Sequence, residues 1–154
     1  GVDPARIVVG GGSAGGHVAL WTAIEKTPPG SDPNEAPKIK PIGLMLMCPV
    51  SDTSVLKGYT PKRFGDNAEA LSPFHQLDAK MPPVLLLHGD ADTTVPFTQS
   101  VDLAKKLTDT GNTVEFVTVP GGTHGFISET PGWRDKSKEL ILAFLRKHNL
   151  TSAP

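Results

Sequence analysis

With 154 residues, and 15 Lys and Arg against 16 Asp and Glu, the chain carries a net charge of −1, which removes the electrostatic basis for binding nucleic acid or an anionic membrane. The length suffices for one buried core and hardly for two, and no apolar run approaches the ~20 residues of a membrane-spanning helix. A single cysteine, Cys48, excludes an internal disulfide.

The chain opens on Gly1, with no targeting segment visible, so its compartment is not legible. Residues 7–9 form a short β-branched run, Ile7-Val8-Val9, which predicts a buried strand. Gly10 to Gly16 follow, with one serine among glycines, and then helix-forming Val18-Ala19-Leu20-Trp21; a helix is predicted from Ala14, ending before Pro28. Residues 42–48 predict a second strand, whose Cys48 reads as a small buried hydrophobe. Residues 51–83 are mostly irregular, with one helical turn expected near 67–71. Residues 84–88 and 114–119 complete four continuous apolar runs of the kind buried in parallel sheets. A helix over 98–110 should bury Val101, Ala104 and Leu107 and stop at Gly111. The last helix, 135–148, carries an apolar stripe of Leu140, Ile141, Phe144 and Leu145. Strands alternating with helices predict an α/β fold: one mostly parallel sheet of about four strands, with helices on both faces and three of them main ones.

The glycine segment fits two chemistries. Gly10, Gly12 and Gly15 satisfy G-x-G-x-x-G, the dinucleotide-binding pattern, which needs an acidic residue about 20 positions further on at a strand end. Asp32 and Glu35 are the candidates, but they lie among Pro28, Pro29, Pro33 and Pro37, where no buried strand forms. A phosphate-binding P-loop also fails, because no Lys-Ser or Lys-Thr follows the glycines. The better fit is a nucleophile elbow, in which a strand turns sharply into a helix and holds the Ser13 hydroxyl at the sheet's edge. The helix N-terminus then favours developing negative charge.

Parallel sheets bind ligands at the carboxyl ends of their strands. Ser13 follows the first strand, Asp90 and Asp92 follow the third, and His124 follows the fourth. Ser, then Asp, then His is the chain order of α/β-hydrolase triads. By contrast His17, in the first helical turn, reads as structural, His88 as packed or bonded locally, and His75 and His148 as surface or loop residues. No spacing suggests metal ligands, and neither metal nor cofactor is expected. Trp133 and Phe126 fit either a pocket wall or ordinary packing of the last helix.

Three segments carry a resemblance over nearly the whole chain: Gly11-Gly12-Ser13-Ala14-Gly15-Gly16-His17, His88-Gly89-Asp90-Ala91-Asp92-Thr93-Thr94-Val95-Pro96, and Gly122-Thr123-His124-Gly125-Phe126. They resemble the C-terminal part of an α/β-hydrolase of the esterase/lipase type, nearest the acetyl-xylan-esterase-like and hormone-sensitive-lipase-like branch. Leu71-Ser72-Pro73-Phe74 resembles that family's Ser-Pro segment. Gly12 departs from the Asp that usually precedes the serine in the hormone-sensitive-lipase branch, and so favours the acetyl-esterase side.

The resemblance implies Ser13 as nucleophile, Asp92 rather than Asp90 as the acid, His124 as base, and the Ala14 N–H as one oxyanion donor. It implies a single catalytic domain over 1–154 that lacks the family's early strands and oxyanion loop. The expected function is hydrolysis of a small carboxylic ester, acetyl-type, with an acetylated carbohydrate among the substrates to consider. The alternatives are a serine peptidase of the prolyl-oligopeptidase type and a weak or inactive hydrolase fragment. Without a neighbouring strand, Ile7 to Val9 would form an open apolar edge through which copies self-associate.

Overall fold

The computed structural model of the chain describes residues 3–32, 34, 40–78 and 80–151. Four parallel strands form one sheet in the order β1 (Val8–Gly12), β2 (Gly43–Met47), β3 (Val84–Gly89) and β4 (Val114–Val119). The helices are α1 (Ala14–Ala23), the single turn α2 (Pro73–Gln76), α3 (Thr98–Asp109), the short α4 (Phe126–Glu129) and α5 (Trp133–Lys147).

Residues along β2 and β3 alternate between two cores. Leu44, Leu46, Val84 and Leu86 face α1 and α3, where Leu20, Leu103 and Leu107 are buried against them. Leu85 and Leu87 point the other way, with Met45 and Met47, into a second cluster holding Phe126 and Phe144 of α4 and α5. Both faces of the sheet are thus covered, as continuous apolar strands require. No helix among the described residues is long and apolar enough to cross a membrane.

Several boundaries differ from expectation. The first strand was expected at residues 7–9, but β1 runs on through the glycines, because Gly10, Gly11 and Gly12 stay in register with Met45, Leu46 and Met47. The backbone ladder outweighs the poor strand propensity of glycine here. The first helix begins at Ala14 and ends before Pro28, as expected, but it already stops at Ala23, so the proline ring is not what ends it. The single helical turn expected near 67–71 is present, closed by the Leu71 N–H on the Asn67 carbonyl at 2.8 Å. Three further short helical turns, not expected from the sequence, lie at Pro61–Arg63, Gly65–Asn67 and α2.

On α3 the buried face is Gln99, Ser100, Leu103, Ala104 and Leu107, while Val101 is exposed. Two polar residues have displaced the expected valine, and both have buried partners. The Gln99 side-chain oxygen accepts the Ser51 and Asp52 N–H groups at 3.0 and 2.8 Å, anchoring the loop after β2. The acidic candidates for a ribose contact do not sit on a strand: Asp32 is in a loop, and Glu35 lies outside the described residues.

Candidate active site

The segment after β1 turns on one strained residue. Ser13 has φ 54° and ψ −121°, a conformation that costs a residue with a side chain about 1–3 kcal/mol. Neighbouring backbone holds it there. Its N–H donates to the Met47 carbonyl at 3.0 Å, and its carbonyl accepts the N–H groups of Gly16, His17 and Val50 at 3.1 to 3.2 Å. The first turn of α1 then folds over Gly11, where a Cβ would lie 2.3 Å from the Gly15 carbonyl oxygen. Only glycine permits that approach. Ala14 opens α1, so its N–H belongs to the amides that a helix leaves without an intrahelical acceptor.

A second close approach joins the loops after β3 and β4. A Cβ on Gly89 would lie 2.0 Å from the Gly122 carbonyl oxygen. The two loops are stitched there by the Ala91 N–H to the Gly122 carbonyl at 3.0 Å and the Gly121 N–H to Asp90 Oδ1 at 2.7 Å. Asp90 is thereby occupied at the exposed rim. Asp92 turns inward, its side chain fully buried, and its Oδ2 accepts His124 Nδ1 at 2.7 Å. Its Oδ1 accepts the N–H groups of Thr94 and Val95 at 2.8 and 2.9 Å. Burial pushes the Asp92 carboxyl up, but the hydrogen bonds from His124, Val95 and Thr94 outweigh it and hold the group below the usual carboxylate range. A carboxylate accepts only, so His124 Nδ1 carries the hydrogen and its Nε2 is left as the basic nitrogen.

Ser13 and His124 line one small cleft of about 240 Å³ together with Gly12, Met47, Cys48 and Phe126. Among the described residues, the His124 ring hydrogen-bonds to Asp92 and not directly to Ser13; apo sites often leave that contact to form with substrate. Phe126 is buried and packs edge-on against Trp133, ring centroids 6.2 Å apart. It therefore serves both as cleft wall and as packing for α5.

Cys48, a buried part of the cleft wall, turns its thiol toward the His124 carbonyl at 3.6 Å. Burial, helped by the Asp92 charge, pushes that thiol up to about 11. Cys48, Asp92 and His124 place donor atoms within 4.8 Å of one another, a grouping that sequence spacing did not suggest. As a metal set they fit poorly. The thiol stays protonated at neutral pH, and Asp92 already accepts hydrogen bonds on both oxygens.

The remaining histidines separate. His17 Nδ1 lies 3.2 Å from the Val50 carbonyl, and its ring stacks on Phe64 at 5.9 Å. His75 Nδ1 lies 2.9 Å from Ser72 Oγ. His148 was expected at the surface; instead its side chain is mostly covered and Nε2 meets Glu115 Oε1 at 2.7 Å. The residue that sequence reasoning undervalued is His88. It is fully buried, with Nε2 3.1 Å from Asp92 Oδ2. The available signal was a polar side chain ending an otherwise apolar buried strand, which needs a partner.

The prolyl oligopeptidase family profile matches residues 1–151. Esterase LipQ of Mycobacterium tuberculosis is 30% identical over 147 residues, covering 82% of this chain and 34% of that protein. Among solved structures, Thermogutta terrifontis esterase 2 phosphoramylated by tabun superposes with a TM-score of 0.83 at 32% identity, covering 99% of this chain and 59% of its own. The propionate-bound form of the Thermogutta terrifontis esterase gives a TM-score of 0.82 at 34% identity, covering 99% and 60%. The chain thus spans about three-fifths of the solved esterases and a third of the curated relative. With the profile running through almost every residue and the sheet superposing throughout, the chain belongs to the prolyl oligopeptidase family and has the α/β-hydrolase fold of the esterase type.

Proposed function

We propose that the chain is the catalytic part of a serine hydrolase acting on small carboxylic esters. Ser13 is the nucleophile, His124 the general base and then acid, and Asp92 the group that orients the imidazole. The observation that carries this reading is the 2.7 Å bond from His124 Nδ1 to a buried Asp92, beside a cleft that also holds Ser13. His124 Nε2 takes the Ser13 proton as Oγ attacks the ester carbonyl, and returns it to the leaving alcohol. Asp92, held ionised, stabilises the imidazolium formed between those steps. The Ala14 N–H, at the start of α1 beside the strained serine, stabilises the oxyanion.

The relatives favour a short acyl group: their solved forms include propionate-bound and butyrate-bound esterases. Acetyl-type esters, including acetylated carbohydrates, are the substrates we propose first. The family profile supports a second reading, cleavage of a peptide bond by the same three residues.

The test is labelling by a fluorophosphonate, combined with hydrolysis of p-nitrophenyl acetate, butyrate and decanoate and of a prolyl anilide, in the protein that carries these residues. We expect labelling that Ser13→Ala abolishes, acetate and butyrate preferred over decanoate, and kcat lowered by at least about 10³ in Ser13→Ala and His124→Ala. Turnover of the anilide above the esters would replace the esterase reading by the peptidase one. Unchanged hydrolysis in Ser13→Ala would end both.

A further inference from the structure

We propose that His88 and Ser100 form a buried positioning pair that fixes the Asp92 carboxylate in its orientation toward His124. The proposal rests on reading Ser13, Asp92 and His124 as the triad, and adds to it two residues from different elements, the end of β3 and the first turns of α3.

The hydrogen positions follow from the partners. His88 Nε2 lies 3.1 Å from Asp92 Oδ2 and 3.1 Å from the Val95 carbonyl oxygen. Both are acceptors only, so Nε2 carries the hydrogen and shares it between them. A neutral ring then has Nδ1 as an acceptor, and Ser100 Oγ, 2.7 Å away, donates to it. Burial independently favours the uncharged ring, pushing His88 below its usual value. The ring is held in place edge-on by Phe97, centroids 5.6 Å apart. One buried tautomer, set by a serine, thus presents a single N–H to the carboxylate oxygen that also receives His124.

Asp92 has two kinds of support. The Thr94 and Val95 amides that bind Oδ1 belong to its own turn and move with it. His88 and Ser100 are both fully buried and belong to the sheet and to a long helix, so they tie Oδ2 to the rigid frame. Without them the carboxylate has only local backbone to define its angle, and small misalignments in a catalytic row are costly.

The experiment compares His88→Leu, His88→Gln and Ser100→Ala. The readouts are ester hydrolysis, the fluorophosphonate labelling rate and the downfield ¹H resonance of the imidazole N–H bound to Asp92. We expect His88→Leu to lower kcat and the labelling rate about 10- to 100-fold, with KM within about twofold, and to broaden or lose the resonance. Ser100→Ala, which removes one hydroxyl, should shift both readouts the same way by less. His88→Gln, whose side-chain amide can place an N–H near the Nε2 position, should recover most of the rate and the resonance. If His88→Leu does not fold, Ser100→Ala carries the test. Wild-type kcat and an unchanged resonance in folded His88→Leu or Ser100→Ala would overturn the pair while leaving the triad intact. Activity surviving Ser13→Ala or His124→Ala would overturn the triad itself.

Discussion

Asp92 accepts four hydrogen bonds, from two imidazoles and two backbone amides, and this saturation explains how a fully buried carboxyl stays ionised. Its folded state holds the proton more weakly than an exposed aspartate does. The stability it contributes is therefore present above the unfolded value, about 3.9, and is lost as pH falls through the lower folded value. His88 has the same sign for a different reason, since burial keeps the ring neutral while the unfolded chain takes up a proton below about 6.5. Wild-type stability should thus fall as pH drops from about 6.5 toward 5. His88→Gln should remove up to one proton from that dependence, at most about 1.4 kcal/mol per pH unit. Urea denaturation at pH 7.5, 6.5 and 5.5 measures it, and identical slopes in the two proteins would contradict the neutral assignment.

At the scale of elements, the site depends on how closely strand ends and helix starts can approach. Gly11 and Gly89 let backbone pass where a Cβ would meet carbonyl oxygens at 2.3 and 2.0 Å. Gly15 belongs to the same serine motif, yet a Cβ there meets nothing within 4 Å. The motif glycines are therefore not equivalent. Gly11→Ala and Gly89→Ala should each cost about 1–3 kcal/mol, and Gly89→Ala should also part Asp92 from His124 and depress hydrolysis. Gly15→Ala, on a helix with open space, should be neutral or stabilising by up to about 1 kcal/mol. Urea midpoints separate the three. Beneath these turns the strands supply rigidity: Leu86 is fully buried between β3 and the α1–α3 face, and Leu86→Ala should cost about 2–5 kcal/mol.

For the molecule as a whole, the sheet has two open edges among the described residues, β4 and β1, and β1 is the one that carries the serine turn. It pairs with β2 on one side and, among the described residues, has no strand on the other. Ile7 offers its carbonyl, and Ser13 its N–H, to β2 and its flanks. The alternation of a parallel strand then directs the N–H and C=O groups of Val8, Gly10 and Gly12 to the open side. We propose that these 154 residues self-associate along that edge, as unpaired strands do. Light scattering behind size exclusion should show dimers or larger species at micromolar concentration. Val8→Pro, which deletes an outward N–H without touching the β2 ladder, should shift them toward monomer. A monomeric wild type at that concentration would refute the proposal.

Much of this was legible before any coordinates. The apolar run at residues 84–88 becomes the wholly buried β3 because a stretch buried on both faces has little alternative to a covered parallel sheet. Residues 114–119 also form a strand, but at the sheet's edge, where only Val119 is buried. Ser13, Asp92 and His124 fall at strand ends because chain order alone places them there. What the residues by themselves left open was which of Asp90 and Asp92 reaches the imidazole; only the family likeness favoured Asp92. The Gly89–Gly122 approach makes that choice in space, sending Asp90 to the Gly121 N–H and Asp92 inward. The link from His88 to Asp92 and Ser100, and the burial of Ser100 in place of Val101, were likewise decided only by tertiary structure. Periodicity along the chain encodes whether a residue is buried. Which polar atom it meets depends on loops packing against one another from distant positions, and that information is not local.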